Sequence, residues 1–166
     1  MNTDVLCKYF LKELEAEEPA SRKCVERIPD KLYTWKPHVK SMEMGYLALL
    51  IAEIPLWISN AIEKSVIDFA TFSHFKPTNT AELVKHLDEN FAGAKKALRN
   101  ISDEALSDMF FLKSKGETLM SSSKLDTISS SINHLAHHRG QLTVYMRLND
   151  IPVPSIYGPS ADEKSF

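Results

Sequence analysis

Between Met42 and Ser65, apolar side chains return every three or four residues: Leu47, Leu50, Ile51, Ile54, Ile58 and Ile62. That spacing stacks them on one side of an α-helix, and a stripe of such length has to be covered by other elements. Any fold open to this chain therefore carries a buried helix. Pro55 falls inside the stripe, and because the rhythm runs on past it, a kink is expected there rather than an end, with Ser41 capping the start. The most apolar part, Tyr46 to Ile58, is shorter than the roughly 20 residues that cross a bilayer. Glu53 also interrupts it, so the reading is core and no membrane span.

Three further windows share the rhythm. The first helix is expected over residues 4–27, with Leu6, Tyr9, Phe10, Leu14 and Val25 in register and Pro19 kinking or dividing it. Ile28 to Lys40, with Pro29 and Pro37, reads as a loop. After a second loop ending at Pro77, Asn79 followed by Glu82 starts a third helix to about Arg99, burying Leu83, Val84, Leu87, Phe91 and Leu98. Ser123 followed by Asp126 opens a fourth, carried to about Asn149. Between Ile101 and Met120 the period fails, and Met109-Phe110-Phe111-Leu112 with Gly116 predict a short extended excursion or hairpin near 107–120. Glycine occurs only 5 times in 166 residues, too rarely to punctuate a strand-and-turn architecture. The expectation is an all-α, four-helix bundle with long connections, one domain over 1–166, closed by an irregular tail containing Pro152, Pro154 and Pro159.

Charge and cysteine usage exclude several classes of function. With 20 Lys+Arg against 22 Asp+Glu, there is no positive field to collect phosphate backbones, so no nucleic-acid partner is expected. The opening Met1-Asn2-Thr3-Asp4 lacks a basic patch before an apolar run, which reads as no secretory signal and a cytoplasmic setting. Cys7 and Cys24 fit neither a zinc-ribbon spacing nor a disulfide framework and are read as reduced, buried thiols. No glycine-rich phosphate loop, serine nucleophile elbow or H-E-x-x-H motif is present. His38, His74 and His86, in loops or on a charged helix face, are expected in solvent.

The fourth helix holds His134, His137, His138 and Arg139 within six residues, and thus half of the 6 histidines. Residues four apart lie one above the other on a helix, so His134 and His138 project from one face while His137 points elsewhere. Such a pair suits a borderline divalent ion, but it brings two ligands where a catalytic zinc centre usually takes three from the protein. On spacing alone the plainer reading is preferred, two hydrogen-bonded polar residues along a half-buried face.

A resemblance adds to this. The segment from Asn133 to Glu163, opening NHLAHHRGQ, resembles the C-terminal signature of the DinB/YfiT-like superfamily, in which two histidines four residues apart and then RGQ open the inward-facing helix. Trp35-Lys36-Pro37, Lys40-Ser41-Met42 and the run from Met44-Gly45-Tyr46 through Ala52-Glu53-Ile54-Pro55 to Trp57 resemble that family's first loop and second helix. The resemblance spans nearly the whole chain. It implies a four-helix bundle, an interior divalent metal such as Zn or Ni held by three histidines, and a homodimer. Its better-understood members imply hydrolase or thiol-dependent transferase chemistry, in which the metal lowers the pKa of a bound water or small thiol.

This chain departs from the pattern at one ligand. The position of the second-helix histidine is Leu50 here, which has no lone pair, so the site is expected to be weakened, with His134 and His138 as remaining ligands and Glu53 or a water as substitute, although the plainer reading of Glu53 is a supporting or solvent-facing carboxylate. Arg139 is expected either to bind a carboxylate inside the bundle or at its rim or to be a solvated or tail-pinning arginine; Gln141 follows it. Tyr145, seven residues past His138, either reaches the cavity with its hydroxyl or is a core tyrosine. Trp35 and Trp57 are expected to pack, and the Tyr157-Gly158-Pro159-Ser160 tail to fold back. Two functions follow: a metal-dependent enzyme acting on a small molecule or thiol, or a non-catalytic homodimeric binding or stress-response protein that has lost the metal.

Overall fold

Four helices account for most of the chain in the computed structural model, which describes residues 5–164. They are α1 (Val5–Glu26), α2 (Met44–Glu63), α3 (Thr80–Asn100) and α4 (Lys124–Leu148). The expected helix start at Asp4, and the residues read for a secretory signal, lie outside the described residues. The stripe of α2 is met as expected: Leu47, Ile51 and Ile58 are fully buried, in one core with Leu14, Leu87, Phe91, Leu135 and Leu142 from the other three helices. α2 packs on both α3 and α4, and α1 packs on the same two. Each such side chain taken from water contributes about 1.5–3 kcal/mol, so the stripe alone orders the centre of the fold. By length and composition α2 would also cross a membrane, at 20 residues and a mean hydropathy of 1.5, yet most of it is covered by α3 and α4, as suits a core helix.

Both prolines sit inside continuous helices, Pro19 in α1 and Pro55 in α2. Ser41 does not cap α2. The helix starts after Glu43, and its first donors are met by loop carbonyls: Met44 N–H donates to Trp35 O at 2.8 Å and Gly45 N–H to Tyr33 O at 2.9 Å. Only glycine fits at position 45, because a Cβ there would lie 2.9 Å from the Tyr33 ring. The other starts follow their caps. Asn79 accepts from the Glu82 N–H at 2.9 Å and Ser123 from the Asp126 N–H at 3.0 Å. At α1 the cap comes from afar: the Asp103 carboxylate accepts from the Leu6 and Cys7 N–H groups.

The all-α expectation is corrected by a small sheet of three strands, β1 (Val66–Asp68), β2 (Met109–Ser114) and β3 (Glu117–Ser123), in the order β1-β2-β3. β2 and β3 form the hairpin that the broken period predicted, turning through Lys115 and Gly116 at φ of 51° and 84°. β1 lies parallel to β2, with Val66 opposite Phe111. Three residues paired with a strand more than forty positions later leave no local pattern, which is why β1 was not legible. Asp68 ties the two together by accepting from the Lys115 and Gly116 N–H groups. On the inner face, Ile67 and Phe110 pack on Ala61, with Trp57 and Phe72 alongside, so the sheet supports the C-terminal half of α2.

Candidate functional site

On α4 the two imidazoles four residues apart do meet: the His134 and His138 ring centroids are 4.3 Å apart. His138 is buried, and its Nδ1 donates to Gln141 Oε1 at 2.8 Å, so a neutral ring keeps its lone pair on Nε2. Neither nitrogen of His134 bonds to another described residue. Partial burial, then the neighbouring His138 and His137, hold its pKa below the ordinary value and favour the neutral ring. His137 is exposed, its ring 5.2 Å from that of His138.

His134 opens on a pocket of about 90 Å³ between α2 and α4, lined by Leu50, Glu53, Ile54, Trp57, Ser131 and His134. Three residues singled out in the sequence are thus brought together: His134, Leu50 and Glu53. Trp57, read as packing, both packs on the sheet and lines the pocket. Ser131 was missed, although its position three residues before His134 puts it on the same helix face. Its hydroxyl donates to Thr127 O at 2.7 Å, which leaves the oxygen as an acceptor.

Glu53 is engaged elsewhere, and here the reading of His74 and His86 as solvent-exposed is corrected. The Glu53 carboxylate is 2% exposed. Its Oε2 lies 2.5 Å from His74 Nδ1, its Oε1 accepts from the Phe75 N–H at 2.8 Å, and His86 Nε2 stands 3.7 Å from the same oxygen. The His86 ring stacks on Phe75 at 4.2 Å, the His74 ring lies edge-on to Phe72 at 5.1 Å, and the Asn90 amide bridges His86 Nε2 and the Ala52 carbonyl. A carboxylate on a covered helix has to find donors, and the β1–α3 connection supplies them. The partners lie 21 and 22 residues along the chain, beyond any local signal. His38 is exposed, as read, its Nδ1 accepting from the Lys40 N–H.

A three-histidine metal centre does not fit these residues. Leu50 offers no lone pair, the Glu53 carboxylate is buried and held by His74 and Phe75, and among the described residues no three His, Cys, Asp or Glu side chains group closely enough to hold an ion.

The remaining candidates turn away from the pocket. Arg139, 1% exposed, pairs with Glu17 Oε2 at 2.5 Å, donates to Glu17 O and to Ser21 Oγ, and holds the Tyr157 hydroxyl at 2.7 Å. It thus binds a carboxylate, that of Glu17, and also pins the tail through Tyr157, while the reading as a solvated arginine is corrected. The tail is fastened further by Glu163 to Arg27 and Lys23 and by Asp162 to Arg147. Tyr145 is a core tyrosine, edge-on to Trp35 at 5.5 Å, its hydroxyl donating to Met42 O at 3.2 Å. Cys7 and Cys24 are both buried and in no disulfide, and burial pushes the Cys24 thiol up to about 11.

A family model described as the DinB family matches residues 1–165. Two solved structures share the fold. A DinB-like protein, YjoA, from Bacillus subtilis has a TM-score of 0.71 at 17% identity, covering 95% of this chain and 99% of that one. A DinB-like protein from Bacillus cereus ATCC 10987 has a TM-score of 0.71 at 20% identity, covering 95% and 100%. A 32-residue stretch is 56% identical to the uncharacterized protein YrdA of Bacillus subtilis strain 168, and spans 19% of each chain.

Proposed function

The chain belongs to the DinB family, and from that premise we propose that it is a non-catalytic binding member, which uses the pocket between α2 and α4 for a small molecule in place of a metal centre. Leu50 carries this reading. It lines the pocket beside His134, where the family resemblance calls for a third imidazole, and turns a coordinating corner into an apolar wall. Glu53, the one carboxylate near enough to substitute, already satisfies the β1–α3 connection. A binding or stress-response role as a homodimer is the corresponding expectation.

The rival reading is a metal-dependent hydrolase or thiol-dependent transferase with a weakened Zn or Ni site. One observation favours it: the His138 ring, beside that of His134, is held at Nδ1 by Gln141 in the manner of a metal ligand fixed by a supporting partner. Metal content separates the two. The protein is purified without an immobilised nickel column and measured by mass spectrometry beside Leu50→His. Substoichiometric metal in the wild type and about one ion per chain in the variant are expected on the binding reading. Stoichiometric metal in the wild type would establish the rival.

A further inference from the structure

We propose that this pocket selects a small, uncharged, largely apolar molecule bearing one hydrogen-bonding group, and that the grip of His74 and Phe75 on the buried Glu53 is what makes it reject ions. The inference rests on the binding reading and names its ligand class.

The walls set the apolar part. Leu50, Ile54 and Trp57 supply hydrocarbon and an indole face, and about 90 Å³ is less than the roughly 150 Å³ cavity that admits benzene, so the pocket takes only a molecule of a few heavy atoms. The polar part is equally limited. Ser131 offers an acceptor, its proton being donated to Thr127 O, and the neutral His134 ring, which bonds to no other described residue, offers one donor and one acceptor. A single hydroxyl-sized group satisfies them. No lysine or arginine lines the pocket, so an anion meets no counter-charge. Arg139, on the same helix, is committed to Glu17 and Tyr157.

Glu53 would ordinarily make such a pocket a cation receptor. Its carboxylate, however, is 2% exposed and is held by His74 Nδ1 and the Phe75 N–H, so a cation in the pocket could pair with it only by opening this covered region. Specificity against ions thus comes from a residue on the β1–α3 connection that does not itself line the pocket. His74 is a positioning residue in this sense.

The test uses three probes with one carbon frame, isobutanol, isobutyrate and isobutylammonium, titrated into the full-length, chelator-treated protein and followed by amide and indole resonances. Isobutanol is expected to shift Leu50, Trp57 and Ser131 and to bind at least about tenfold more tightly than either ion. In His74→Ala, with one Glu53 oxygen released, isobutylammonium should gain about tenfold while isobutanol stays unchanged. Either ion matching isobutanol on the wild type overturns the inference, as does an unchanged ranking in a folded His74→Ala; if that variant does not fold, the wild-type ranking decides. No pocket shift with any probe would instead sink the binding reading itself, and stoichiometric metal before chelation would point to the rival enzyme.

Discussion

Arg139 and His134 stand five residues apart on α4 and meet opposite fates. The guanidinium is almost wholly buried, and its neighbourhood is complete: the Glu17 carboxylate and carbonyl, Ser21 and the Tyr157 hydroxyl surround it, and its cation lies 5.3 Å from the Tyr157 ring centroid. The imidazole is exposed beside a pocket and bonds to no other described residue. A buried charge persists only where its surroundings answer it, so the Arg139 side of α4 is architecture, joining α1, α4 and the tail. A polar group without a partner beside apolar walls is one that a ligand can complete. Glu53 lies between these cases, lining the pocket while its oxygens serve the architecture.

That contrast is most exposed at Arg139. Arg139→Met takes the cation from Glu17, leaving it the Tyr157 hydroxyl as its donor, and a loss of about 3–5 kcal/mol in urea unfolding is expected, as for a buried pair deprived of one partner. A loss below about 1 kcal/mol would place Arg139 among ordinary surface charges. Glu53→Ala should cost less, about 1–3 kcal/mol, because it leaves the Phe75 N–H and the His74 ring without their acceptor. Hydrogen exchange at the Phe75 amide should quicken in this variant, and unaltered protection there would separate Glu53 from the connection.

Acid sharpens the comparison from the tail side. Hydrogen bonding from Arg27, then from the Ser155 N–H, holds the Glu163 carboxyl down at about 2. A folded-state pKa below the unfolded one gives stability that is present above the ordinary glutamate value and lost as pH falls toward 2. Acid unfolding of Glu163→Gln should accordingly be flatter across that window, and a slope equal to the wild type's would contradict the assignment. The smallest effect is expected at His134. Its lowered pKa means that protonation favours the unfolded chain, so it withdraws stability as pH drops through the ordinary histidine range. At pH 8, His134→Ala should alter stability by no more than about 0.5 kcal/mol, the range of a surface change, while abolishing isobutanol binding. A large loss of stability would reassign His134 to the core.

The parts of the fold legible in the chain were those with a local signature. The α2 stripe, the Asn79 and Ser123 caps and the Gly116 turn each act over a few residues and each reads directly. Ser41 misled because Trp35 and Tyr33 supply the start of α2 from the preceding loop. At the site, the spacing of His134 and His138 was sufficient to predict adjacent rings, and the family resemblance, not periodicity, drew attention to Leu50. His74 and His86 were misread since nothing near them announces Glu53, a residue more than twenty positions away.

The amino-acid order alone determined which segments wind into helices and which faces they bury, because helix periodicity and capping are contests between neighbours in the chain. Only the folded arrangement decided which polar groups stay open. Whether Glu53 faces a ligand or a histidine, and whether Arg139 stays open to a ligand or is closed by Glu17 and the tail, depends on which distant donors and acceptors the packing delivers to a desolvated spot, where each polar group must be answered by whatever lies against it.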